Sequence, residues 1–241
     1  MRRIPFPLCL ALALSCASTR ARADTEGGAE IDLVSRFVWR GKAPSRGAAL
    51  QPSMWISAHD VTASIWSNVA LSDEAAGRRV TAYVPSIFFE RAFDAWTFST
   101  GVLVESGVGA PGTPPTSEAA LDVSYGSDHA RIASENRIDF GEARGAYFGD
   151  VALSIEGDAF DGSIRVRAAA AWATAAFNRV WFGVDQDALD LATLDLAFHR
   201  PLVGPLYLEA HAQLGTVLPP ARSHVDEATL FVTGLAVGVE P

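Results

Sequence analysis

Nine consecutive residues alternate without a break: Leu206, Leu208, Ala210, Ala212 and Leu214 fall on one side, and Tyr207, Glu209, His211 and Gln213 on the other. A period of two belongs to a β-strand with one oily and one wet face, and it excludes a helix over the same stretch. The pattern recurs along the chain. Ile31, Leu33, Phe37 and Trp39 oppose Glu30, Asp32, Arg36 and Arg40. Ala119, Leu121, Val123 and Tyr125 oppose Glu118, Ala120, Asp122 and Ser124, while Trp96, Phe98, Thr100, Val102 and Val104 face away from Thr97, Ser99, Gly101 and Leu103.

Further strands are expected at Leu50 to Ala58, Val61 to Val69, Val80 to Phe89, His129 to Asp139, Tyr147 to Glu156, Ser163 to Ala173, Arg179 to Asp185, Leu189 to His199 and Thr229 to Val239. Turn chemistry at Ser127-Asp128, Gly157-Asp158, Asp161-Gly162 and Pro201 to Pro205 separates them. The tally is thirteen, whereas single-chain bacterial barrels use even numbers. Arg179 to Asp185 is the weakest segment, so the expected fold is all-β, an antiparallel up-and-down transmembrane β-barrel of about twelve strands. Longer polar connections at Gly41 to Ala49, Leu71 to Arg79, Gly107 to Thr116, Arg137 to Gly145 and Thr216 to Ala228 alternate with tight ones, as loops at one rim and turns at the other require.

Alternation alone also suits a soluble sandwich, with an oily inside and a wet outside. The polar faces favour the barrel: Asp32 with Arg36, Arg131 with Glu135, Arg165 with Arg167, and Glu209 with His211 suit a watered lumen, and closure leaves no backbone edge unpaired in lipid. Phe37, Trp39, Trp96, Phe98 and Tyr125 are expected near strand ends as interfacial girdles.

The start of the chain agrees with such a destination. Arg2 and Arg3, an apolar Leu8 to Ala17 and a small-x-small site at Ala21-Arg22-Ala23 make residues 1–23 an expected signal peptide, with residues 24–241 as the barrel domain and the cell outer membrane as the location. Cys9 and Cys16, the two cysteines of the sequence, lie inside that leader, so the mature barrel is expected to hold no disulfide or thiolate site. A lipid-modified Cys16 is the alternative; the leucine of Leu12-Ala13-Leu14-Ser15 sits one place too far from it. The formal charge is -9; losing Arg2, Arg3, Arg20 and Arg22 leaves 15 basic against 28 acidic side chains. That balance argues against nucleic acid as a partner. Expected partners are outer-membrane lipid, lipopolysaccharide and the barrel-assembly machinery, with no cofactor.

Val34-Ser35-Arg36-Phe37-Val38-Trp39-Arg40-Gly41, then Gln51-Pro52-Ser53, then Ser64-Ile65-Trp66-Ser67-Asn68-Val69 resembles the opening of the TorF-type porin (Gcw_chp) family. The resemblance continues through Tyr83 and Phe93 to Glu105 and is diffuse beyond residue 120, where Trp181-Phe182-Gly183-Val184 is similar to the MltA-interacting outer-membrane proteins. It implies an outer-membrane barrel with a pore function and supplies no catalytic motif. One departure is the ending Val239-Glu240-Pro241, where such barrels commonly close on an aromatic residue.

Chemistry beyond a pore has little to build on. The five histidines are not spaced as metal ligands. Ser57 and His59 share a strand face, the minimum for a barrel lipid hydrolase, but no G-x-S-x-G elbow or phosphate loop is present. Asp73, Glu74, Asp185, Asp187 and Asp190 lack the glycine and distal glutamate of a dedicated calcium loop and read as solvated charge. The residues expected to line the lumen are Asp32, Arg36, Arg131, Glu135, Arg137, Arg165, Arg167, Glu209 and His211, joined by Glu30 and Arg40. The function expected is an outer-membrane porin or channel for passive passage of small solutes or ions and not an enzyme; alternatives are a structural or adhesion-type barrel without conduction and, last, the hydrolase.

Overall fold

Residues 25–45, 47–72, 80–108 and 115–241 are described by a computed structural model. They form a closed barrel of twelve antiparallel strands, each paired with its neighbours in sequence, the last returning to the first. The strands are β1 (Thr25–Val34), β2 (Ala49–Ala58), β3 (Val61–Ala70), β4 (Val80–Phe93), β5 (Trp96–Glu105), β6 (Thr116–Gly126), β7 (Ala130–Asp139), β8 (Tyr147–Ala159), β9 (Gly162–Ala173), β10 (Ala188–Pro201), β11 (Leu206–Val217) and β12 (Thr229–Val239). A short helix, α1 (Ala175–Trp181), joins β9 to β10, and a 3-10 turn (Ala221–His224) precedes β12. The expected leader and Cys16 lie outside the described residues, as do Asp73 and Glu74.

Alternation resolves into outside and inside. Ile31, Ile56, Ile65, Ile87, Val102, Leu121, Ile132, Leu153, Val166, Leu196, Leu214 and Leu235 all stand exposed on the exterior. An oily exterior around a closed hydrogen-bonded ladder is what a lipid bilayer demands of a strand protein. On the wet side, Asp32 opposes Gln51 and Ala236, so each inward side chain has inward neighbours on both flanks.

Tight connections at His59-Asp60, Asp94-Ala95, Ser127 to His129, Phe160-Asp161 and Leu202 to Pro205 share one rim with Thr25 and Val239; longer connections share the other. Phe93, Trp96, Phe98 and Tyr125 cluster near the tight-turn rim, with Trp96 4.8 Å from Tyr125 and 6.0 Å from Phe98. This is a girdle of the kind expected.

Arg179 to Asp185, the weakest of the expected strands, is no strand: it is the end of α1 and its exit, and Trp181-Phe182-Gly183-Val184 falls there. Three expectations need correction. β8 runs through Gly157-Asp158 and turns at Phe160-Asp161, both at positive φ of 51° and 59°. Arg137 sits within β7, not in a loop. The first strand ends at Val34: Ser35 hydrogen-bonds back to Thr233, and the chain then leaves the wall. Phe37 and Trp39 therefore join no girdle. They turn inward, where Phe37 is 1% exposed and lies tilted against Trp66 at 5.6 Å, while Trp39 stacks on the same ring at 5.4 Å.

Candidate functional site

The inward-folded connection between β1 and β2 defines the interior. Trp39 and Lys42 exchange backbone hydrogen bonds of 2.8 and 2.9 Å across Arg40 and Gly41, whose φ values are 46° and 80°. Positive φ at both centres is the type I′ form of a two-residue turn, and Gly41 adopts it at no steric cost. The turn sets the loop tip against Val217, Leu191 and Phe182.

Arg40 locks the tip in place. Its guanidinium donates to both carboxylate oxygens of Glu118, at 2.8 and 2.7 Å, and Glu105 lies 2.7 Å away. The three side chains are 9%, 5% and 1% exposed. Rings of Phe148, Phe177 and Trp39 stand 5.0, 5.7 and 5.8 Å from the same charge. Two carboxylates and three aromatic faces compensate the desolvation of one arginine. Beside it, Lys42 lies over Trp181 and Phe182, and burial lowers its pKa below the ordinary 10.5.

Helix α1 caps this region. Phe177 and Trp181 are buried in the same apolar cluster as Phe37, Val84, Leu103, Phe182 and Val217. Asp187 accepts from the amide of Ala175 at 2.5 Å, satisfying a donor at the helix start. Asp185 pairs with Arg179, and Asp190 accepts from buried Asn178 at 3.3 Å. These aspartates thus hold the connection together, and no group of metal-ligating side chains occurs among the described residues.

The rest of the interior is polar and lopsided. From β6 round to β1 the wall is charged. Arg167 on β9 reaches Asp150 at 3.3 Å and Glu135 and Asp195 at 3.7 Å. Arg137 pairs with Asp122 and lies 3.7 Å from Glu135, and Arg165 lies 3.7 Å from Glu209. His211 bonds Asp32 at 2.9 Å, and Tyr207 donates to Glu30 at 2.6 Å. From β2 to β4 the partners are neutral: Ser57 with Thr62 at 2.5 Å, Ser64 with Ser86 at 2.6 Å, and Gln51 donating to Asn68 at 3.1 Å. Ser57 is thereby engaged with Thr62, while His59 sits on the turn at φ 55°.

Two cavities occupy this space. One, about 500 Å³, is bordered by Asp32, Arg36, Arg165, Arg167, Glu209 and His211. The other, about 390 Å³, lies under Arg40 and is bordered by Glu135, Arg137 and Arg167. Eight of the nine side chains singled out from the sequence border one or both; Arg36 does so from the inserted loop, where it pairs with Glu227. Arg131 borders neither and stands exposed on β7. Sequence reasoning missed Asp122, Asp150, Asp195 and Gln213 as site residues. Each lies at an inward position of its strand, so strand parity was the available signal.

No family model matches the chain, and no curated protein matches it by sequence. Solved structures do match in fold. A KdgM porin aligns with 88% of this chain and 98% of its own at 10% identity and a TM-score of 0.52. A NanC porin covers the same shares at 9% identity and 0.58. The COG4313 outer membrane channel from Pseudomonas putida F1 aligns with 93% of this chain and 98% of its own, at 9% identity and 0.50. What these structures share with the chain is the β-barrel fold.

Proposed function

We propose that this chain is an outer-membrane channel for passive passage of small solutes or ions. The observation that carries the proposal is the pair of adjoining cavities inside a closed barrel with an oily exterior, the one beside Asp32 and Glu209 mainly polar and the one under Arg40 of mixed lining. Charged interiors occur in plugged barrels as well as in porins, so it is the open volume joined at Val38, Arg167 and Gln213 that favours passage. Barrels known as porins and as a channel share the architecture. Their likeness supports the reading at the level of fold, and the opening strands' resemblance to the TorF-type family supports it in the same direction.

In this proposal residues 1–23 direct export, the tight-turn rim faces the periplasm and the loop rim faces outward. The assembly machinery and outer-membrane lipid are the partners, and Asp32, Arg36, Glu135, Arg137, Arg165, Arg167, Glu209 and His211 line the aqueous path. A second reading, a structural barrel without conduction, draws on the seated β1–β2 loop and its apolar packing, which fill the loop-rim half.

Planar-bilayer recording separates the two. Refolded protein, shown to be a barrel by slower gel migration after boiling, is expected to give discrete conductance steps. Silence from such a preparation would refute the channel.

A further inference from the structure

Three side chains among the described residues border both cavities: Val38 on the inserted loop, Arg167 on β9 and Gln213 on β11. The cavities therefore meet across these three. Val38 packs against Val34, Ala49 and Val232. Asp195 braces the other two, accepting from Gln213 at 2.5 Å and lying 3.7 Å from Arg167. The pairing register explains the bracket, because Asp195 stands directly opposite both Arg167 and Gln213 on its flanking strands.

The geometry points to Val38, Arg167 and Gln213 as the selectivity constriction of the channel, one that favours cations. This rests on the channel reading and adds to it which residues choose and what they choose. Around the waist a single guanidinium faces Glu135, Asp150 and Asp195, so the local fixed charge is negative. The neighbouring cations are themselves engaged, Arg137 by Asp122 and Arg165 by Glu209 at 3.7 Å. Fixed charge at a narrow aqueous passage sets which mobile ion enters. Val38 is uncharged and comes from the inserted loop, so it sets width and leaves charge to the wall.

Reversal potentials across a potassium chloride gradient test this. The unmodified channel is expected to pass potassium in preference to chloride. A unit charge about 4 Å from an ion in water changes its occupancy roughly fivefold. Asp195→Asn is therefore expected to lower the cation preference by about that factor, and Arg167→Gln to raise it. Gln213→Cys gives up the hydrogen bond to Asp195 but leaves every charged side chain in place: a negatively charged methanethiosulfonate reagent should reduce single-channel current and increase cation preference, and a reducing agent should reverse both. Conductance with chloride preference, or with unchanged selectivity in Asp195→Asn and unchanged current on modification of Cys-substituted Gln213, overturns the constriction and leaves the channel standing. Silence of the unmodified barrel overturns both.

Discussion

Removing the charge of Arg40 should release the β1–β2 loop from its seat in the loop-rim half of the barrel. In Arg40→Met the aliphatic stem still meets Phe148 and Phe177, but Glu105 and Glu118 lose the cation that lies 2.7 Å from each. Truncating one member of a buried ion pair costs about 3–5 kcal/mol, because the remaining charge stays desolvated. Here two carboxylates are stranded, both almost inaccessible to solvent in the seated state. Withdrawal of the β1–β2 loop rehydrates them, so the cost falls on the seated state alone. At 1.4 kcal/mol per factor of ten, a cost of about 3 kcal/mol multiplies the unseated population roughly a hundredfold. Trypsin cleavage at Lys42 in the folded, detergent-solubilised barrel reads that population directly. A larger mean conductance reads its consequence. Arg40→Met combined with Glu105→Gln and Glu118→Gln removes the stranded charges and should restore protection. Equal cleavage rates in the unmodified and Arg40→Met barrels, both heat-modifiable on a gel, would refute the argument that this cluster latches the loop.

Other perturbations have equally definite outcomes. Lys42 has a pKa lowered by burial, so between that value and 10.5 the released loop binds more protons than the seated one, and seating strengthens as pH rises. The open fraction in bilayer recordings should fall as pH approaches 10.5, and Lys42→Met should remove this dependence. A Cβ at Gly234 would collide with Nε2 of His211 and lie 2.8 Å from Oδ1 of Asp32; Gly234→Ala should lower stability by about 1–3 kcal/mol, seen as an earlier urea midpoint in lipid vesicles. Phe177→Ala empties a buried site between Phe148 and Trp181, at 5.2 and 5.3 Å. It should cost about 3–5 kcal/mol of local stability, visible as faster amide exchange in α1 while strand amides stay protected.

The strands were legible because two solvents act on them. Lipid outside and water inside impose a period of two on every wall segment, and Leu206 to Leu214 displays it without error. The inserted loop was not legible for the same reason. Phe37 and Trp39 continue the alternation of Ile31 and Leu33, and periodicity cannot tell an apolar face that meets lipid from one that packs inside a lumen. The break lies in Arg40-Gly41, a turn whose positive φ values carry only one glycine as a signal. Asp150 and Asp195 show a different limit. Parity alone sends both inward, but their meeting at Arg167 depends on register, with Arg167 opposite Asp195 and Glu135 opposite Asp150. Register emerges only when twelve strands close with a common stagger.

Closure itself explains two glycines that a strand would otherwise avoid. The ladder between β1 and β12 pairs Ala29 to Val34 with Gly234 to Val239, six positions, against eleven between β11 and β12. Gly234 and Gly238 stand at inward positions of β12, where a Cβ would strike His211 and Tyr207. Their bareness lets those two side chains on β11 cross β12 and bond Asp32 and Glu30 on β1. The shortest backbone seam is thus backed by two side-chain bridges, each spanning a strand that contributes nothing but room. The same carboxylates belong to the charged wall, so the residues that close the barrel also set part of the charge of its interior.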